Sequence, residues 1–128
     1  MKALLDTCTF LWLVTEDCSH LNSRTADIFL SEDSEIYFSL VSAWEISIKN
    51  SMGKLQLTDP VYEFLTKQIR LNDLNLLPIE ISHIAKVSEL PFHHKDPFDR
   101  LLIAQSVVEN IPILTQDRIF AEYGVEVM

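Results

Sequence analysis

Short apolar runs and longer stretches of helical periodicity alternate along the whole chain. Lys2-Ala3-Leu4-Leu5 is an apolar run closed by Asp6 and predicts a buried strand over 2–6, with an apolar helix from Thr9 to Val14 packed directly after it. Further strands are predicted over 35–39, where Ile36-Tyr37-Phe38 favours extended backbone, over 74–79 and over 112–115, with an edge strand over 125–127. Helical patterns fill the intervals. One is capped by Asn22 or Ser23 and runs to about Leu30; one spans 41–52 and stops at Gly53; one enters through Asp59-Pro60 and runs to about Leu71; one is capped by Ser82 and ends near Leu90. After a loop over 91–95, Asp96-Pro97 opens a helix that continues through Val108, and Asp117 caps a final helical turn.

Strand and helix in strict alternation predict a parallel sheet covered on both faces, a three-layer α/β/α sandwich formed by residues 1–128 as one domain. At 128 residues such a chain buries roughly two thirds of its unfolded surface and needs no staples. Cys8 and Cys18 make neither a disulfide framework nor a zinc site, and are expected to be small buried or surface thiols. The longest apolar run, Phe10 to Val14, is far too short for a membrane span, and the N-terminus does not have the form of a secretory signal, so the expected location is the cytoplasm.

In parallel sheets, functional groups collect beyond the carboxyl ends of the strands. Asp6 and Asp117 fall there directly, while Glu45 and Asp99 arrive from adjacent helix starts. Four carboxylates on one rim suit a hard divalent cation, Mg²⁺ or Mn²⁺, whose waters can be activated against a phosphodiester. Thr7 and Thr115 stand beside these acids as supporting groups, and Asp96 is close enough to assist.

Each acid also has a purely structural reading. Ser42-x-x-Glu45 is a capping box in form, and Lys49 could pair with Glu45 one turn on. Asp99 would be the third residue of a helix capped by Asp96, where the positive helix end favours an acid, and Asp117 could simply cap. Asp6 is hardest to explain this way, since an acid between an apolar strand and an apolar helix has only helix N–H groups to satisfy it.

The net charge of −9 weighs against a broad basic nucleic-acid surface, although bound divalent ions would change the field at the rim. Lys49, Lys95, Arg100 and Arg118 flank the acids and are the candidate phosphate contacts. His93-His94 is expected to serve the loop, since adjacent side chains in extended backbone point apart and cannot easily share an ion. Trp12 and Trp44 are expected to be core or interface anchors.

Several segments together resemble the PIN domains, particularly the VapC-like toxin ribonucleases. They are Leu4-Leu5-Asp6-Thr7 with Phe10-Leu11-Trp12, Ser42-Ala43-Trp44-Glu45-Ile46-Ser47-Ile48-Lys49 with Gly53-Lys54-Leu55, the run from Leu90 to Gln105 containing Asp96-Pro97-Phe98-Asp99-Arg100, and Leu114-Thr115-Gln116-Asp117 with Phe120 and Tyr123-Gly124-Val125. The resemblance implies that Asp6, Glu45, Asp99 and Asp117 bind metal and that RNA is cut to a 3′-hydroxyl and a 5′-phosphate. It also implies a homodimer neutralised by a small antitoxin. The chain departs from the family pattern at Cys8, where histidine or asparagine is more usual, and at Gln116, which replaces an arginine. Two other readings stand beside it: a catalytically silent PIN fold acting through partner binding, and a receiver-like phosphoacceptor domain, whose acidic pair after the first strand and late-strand lysine this sequence lacks.

Overall fold

The computed structural model describes residues 1–15 and 21–128, so the role expected of Cys18 lies outside the described residues. A parallel sheet of β1 (Lys2–Leu5), β2 (Glu35–Ser39), β3 (Asn75–Leu77) and β4 (Ile113–Leu114) runs in the order β3-β2-β1-β4. Leu4 stands between Tyr37 of β2 and Ile113 of β4. Around it lie α1 (Thr7–Val14), α2 (Ser23–Leu30), α3 (Leu40–Ser51), α4 (Val61–Leu71), α5 (Ile81–Val87), α6 (Pro97–Glu109) and a closing 3₁₀ helix, Arg118–Tyr123.

β1, β2 and β4 are apolar on successive residues because both faces of the sheet are covered there, whereas the edge strand β3 buries only Leu77. Ala3, Leu5, Ile36 and Phe38 pack with Phe10, Phe64 and Leu65 of α1 and α4 on one face. Leu4, Ile113 and Tyr37 pack with Leu102, Ile103 and Phe120 of α6 and the 3₁₀ helix on the other. The period-two geometry of a strand thus makes the expected three layers. No helix among the described residues is long and apolar enough to cross a membrane.

Several expected boundaries shift for local reasons. β3 stops at Leu77 rather than Ile79 because Pro78 has no N–H to give the ladder. Pro60, extended at ψ 152°, is itself the N-cap of α4, so Asp59 does not cap; among the described residues its carboxylate receives the Thr58 hydroxyl, at 3.5 Å. α5 begins after Glu80 rather than Ser82, with the Glu80 N–H donated to His83 Nδ1 (3.0 Å). The edge strand expected over 125–127 contracts to a single parallel bridge between Ile113 and Val127. Gly53 does follow α3, at φ +73°, a conformation that costs glycine little.

Candidate active site

From β1 the chain moves toward β2 and β3, and later returns to place β4 on the other side of β1. The reversal lies between β1 and β4, where an open α/β sheet leaves a crevice at the carboxyl ends of its strands. A cavity of about 560 Å³ opens there, lined by Asp6, Thr7, Cys8, Trp12, Glu45, Lys49, Asp96, Asp99, Gln116 and Asp117.

Asp6 leaves β1 as the N-cap of α1. Its Oδ1 accepts the Thr9 N–H (2.8 Å) and its Oδ2 accepts the Thr115 hydroxyl (2.6 Å). Thr115 Oγ1 in turn receives the Asp117 N–H at 3.1 Å, while Asp117 caps the 3₁₀ helix through Ile119 N–H. One hydroxyl therefore connects the first acid to the last. Burial pushes the Asp6 carboxyl above the usual range, against the lowering pull of the Thr115 and Thr9 bonds.

Glu45 is buried in the second turn of α3, and the Ser42–Glu45 capping box does not form. The N-cap is Ser39, whose Oγ accepts the Val41 N–H (3.0 Å), because β2 runs straight into α3 and starts the helix earlier. Glu45 Oε1 accepts the Thr7 hydroxyl at 2.7 Å. Thr7 Oγ1 also lies 2.9 Å from Ser42 Oγ. A hydroxyl carries one hydrogen and a carboxylate can only accept, so Ser42 supplies the hydrogen of that second contact. Lys49 Nζ lies 2.7 Å from Glu45 Oε2, and this bond raises the lysine's pKa.

Asp96 caps α6, its Oδ1 accepting the N–H groups of Phe98 and Asp99 at 2.9 and 3.0 Å. Asp99, third in the helix, is pushed up to about 7 by burial first and then by the negative charges of Asp96, Glu45, Asp6 and Asp117. Those four names are the remaining acids of the cavity wall. Capping and clustering thus coexist: Asp6, Asp96 and Asp117 cap separate helices while facing one space. The Cys8 thiol, raised to about 11 by burial and then Asp6, is protonated in the metal-free chain.

The four expected phosphate contacts separate. Lys49 lines the cavity, and Lys95 and Arg118 are exposed. Arg100 is buried instead. Its guanidinium donates to the carbonyls of Pro91 (2.7 Å), Val87 (3.3 Å) and Leu90 (3.4 Å) and to the Tyr123 hydroxyl (3.1 Å). The side chain points back beneath the 91–95 loop, so the expected RNA contact is withdrawn. Trp44 is 55% exposed and its ring stands T-shaped to that of Phe98 (5.2 Å between centroids), so it is not a core residue, whereas Trp12 forms part of the cavity wall. Gln116 Oε1 accepts the Asn22 N–H at 2.7 Å and joins the start of α2 to the cavity rim.

Sequence reasoning left His94 to the loop, yet its Nε2 lies 3.3 Å from Asp99 Oδ2. The five-residue spacing from His94 to Asp99 gave no helical or strand periodicity to find it by, because the loop turns back between them. Elsewhere, Glu80, His83 and Glu109 bring ligand atoms within 4.8 Å of one another. Glu109 ends the helix whose first turn holds Asp99, about 15 Å further along its axis. His83 Nδ1 takes the Glu80 N–H and its Nε2 meets Glu109 Oε2 at 2.9 Å, so both ring nitrogens serve a clasp between α5 and α6.

The family model described as PIN domain matches residues 3–126. No curated protein matches the chain. Among solved structures, a chain of VapBC2 from Rickettsia felis, bound to a DNA fragment from their promoter, superposes with a TM-score of 0.73 at 15% identity, covering 100% of this chain and 98% of that one. FitAcB from Neisseria gonorrhoeae gives 0.66 at 17%, covering 100% and 96%. VapBC-5 from Mycobacterium tuberculosis, a member of the VapBC family of toxin-antitoxin systems, gives 0.62 at 20%, covering 99% and 97%.

Proposed function

The chain belongs to the PIN domain family, and on that premise we propose that it is a Mg²⁺- or Mn²⁺-dependent endoribonuclease, the toxin of a type II toxin–antitoxin pair. The observation that carries this is the charge of the cavity: five carboxylates and one ammonium line it, and their mutual repulsion is felt at Asp99. A crowded, partly buried set of oxygen donors calls for a hard cation.

Asp6, Glu45, Asp99 and Asp117 are the metal-holding residues in this reading, with Asp96 beside them. A divalent cation there lowers the pKa of a bound water and neutralises charge on phosphoryl oxygens. Thr115 and Thr7 hold Asp6 and Glu45 in place through single hydroxyl bonds. Lys49 offsets the charge of Glu45 until the site is filled, and is then available to a phosphate at the cavity edge. Lys95 and Arg118 supply further positive charge to the RNA backbone outside the cavity. PIN membership sets aside a receiver-like phosphoacceptor. A cytoplasmic homodimer, neutralised by a small antitoxin, completes the reading.

The test is incubation of the purified chain with mixed structured RNA in Mg²⁺, Mn²⁺ or EDTA, alongside Asp6→Asn, with the cut ends mapped. Metal-dependent cleavage to 5′-phosphate and 3′-hydroxyl ends, lost in the variant, is expected. Metal binding without cleavage of any RNA supplied would favour a PIN fold that works through partner binding.

A further inference from the structure

The 91–95 loop has no regular hydrogen bonding of its own, yet it is tied down by a specific network. Arg100 fastens it from beneath through the Pro91, Leu90 and Val87 carbonyls, its guanidinium carbon 4.2 Å from the centre of the Phe92 ring. Tyr123, at the end of the 3₁₀ helix, stands at the junction. Its ring meets those of His93 and His94 edge-on, at 4.7 and 5.4 Å.

Counting hydrogens assigns the direction of the network. The Tyr123 oxygen receives the backbone N–H of His94 at 3.1 Å and Nη1–H of Arg100 at 3.1 Å, which occupies both its lone pairs. Its single hydrogen must then go outward. Two acceptors lie within reach, His94 Nδ1 at 2.7 Å and the His94 carbonyl at 3.3 Å, and the shorter contact takes it. A ring whose Nδ1 accepts carries its hydrogen on Nε2, and Nε2 is the atom 3.3 Å from Asp99 Oδ2. The chain Arg100 to Tyr123 to His94 therefore ends in an N–H directed at one oxygen of Asp99 in the cavity wall.

We propose that His94 is a positioning residue: its Nε2–H, aimed by Tyr123 and Arg100, holds one oxygen of Asp99 so that the carboxylate presents the other to a divalent cation. This rests on the metal-binding reading of the cavity. His94 acts on the cation only through Asp99. The ring's other contacts, with the Tyr123 hydroxyl and ring, give it a competing role as a fastener, and the two roles differ in what they leave intact. A fastener affects folding; a positioning residue affects cation affinity in a protein that is still folded.

The experiment is calorimetric titration of Mn²⁺ alone into the metal-free chain and its Asp99→Asn, His94→Ala, His94→Gln and Tyr123→Phe variants, each with a thermal melt. His94→Ala is expected to weaken Mn²⁺ binding by about 10- to 100-fold, the usual effect of removing a hydrogen-bond partner from a metal-ligating group. His94→Gln, which restores an N–H donor at similar reach, should recover part of the loss. Tyr123→Phe keeps the ring and removes only the hydroxyl; it leaves the His94 and Arg100 N–H groups short of an acceptor and should lower the melting temperature, while weakening Mn²⁺ binding in protein that is still folded at the titration temperature. Wild-type Mn²⁺ affinity in Tyr123→Phe and both His94 variants, whatever their stability, would overturn the proposal and leave His94 a fastener. Failure of the parent chain itself to bind Mn²⁺ would overturn the metal reading and this proposal with it. Loss of binding in Asp99→Asn alone would retain the first and reject the second.

Discussion

The Thr115 hydroxyl donates at 2.6 Å to Oδ2 of Asp6, across 109 positions of sequence. Beside the backbone bond from Asp6 N–H to the Leu114 carbonyl (3.4 Å), it is a side-chain contact that joins the end of β1 to the end of β4 where the strand order reverses. Thr115→Val preserves shape and removes the donor. Since that bond lowers the pKa of Asp6 against its burial, the carboxyl should rise further and cation affinity should fall. Urea unfolding of the metal-free chain should show a loss of about 1–3 kcal/mol for the buried acceptor left short of a partner, with weaker Mn²⁺ binding by calorimetry. Unchanged affinity would mean Asp6 is held by its helix cap alone.

Asp99 sets a pH dependence. Its folded value of about 7 lies above the ordinary 3.8, so between these values the folded state holds a proton that the unfolded chain has released. This group's effect on stability therefore worsens as pH rises through that window and is fully unfavourable above about 7. Without metal, Asp99→Asn should melt about 3–8 °C higher than the parent at pH 8, and the gap should close toward pH 4. Excess Mn²⁺ should stabilise the parent and not the variant. A variant that melts clearly lower at pH 8 would show Asp99 to be chiefly a helix-start acid.

In the metal-binding reading, Lys49, 2.7 Å from Glu45 Oε2, competes with a divalent cation for that carboxylate. Lys49→Met removes the competitor, and because the pair is partly exposed the gain is modest: Mn²⁺ affinity should rise about two- to fivefold. Metal-free stability should fall slightly as Glu45 loses its counter-ion. Equal or weaker Mn²⁺ binding in the variant would show that the ammonium supports the site rather than occupying it.

The basic residues should separate in the same way in solution. Arg100→Lys loses the fork that serves three carbonyls and a hydroxyl, and should cost about 2 kcal/mol or more in urea unfolding. Lys95→Ala and Arg118→Ala should change stability by less than about 0.5 kcal/mol. Each should lower the salt slope of RNA binding by about 1, measured on an Asp6→Asn background. A large stability loss in either exposed variant would contradict this division.

Alternation of apolar runs with helical periodicity was enough for a parallel three-layer sandwich, because a strand buried on both faces must be apolar on successive residues and a helix need not be. The acids at strand ends were legible for a related reason: in such a sheet, the carboxyl ends of the strands share one rim. The lone acid after an apolar strand, Asp6, was the clearest signal of all. What periodicity could not resolve was which residue started each helix. Ser39, Pro60 and Glu80 became caps in place of Ser42, Asp59 and Ser82 because neighbouring strands and prolines decided where the backbone first turned helical.

Type and position along the chain thus specified the fold and the four candidate acids by themselves. Only the tertiary structure decided which charges face the cavity, because side-chain direction depends on packing between elements distant in sequence. Arg100 and Asp99 are adjacent, yet the carboxylate lines the cavity and the guanidinium is buried under a loop; His94, placed by no periodic element, reaches Asp99 because Tyr123 from the far end of the chain holds its ring.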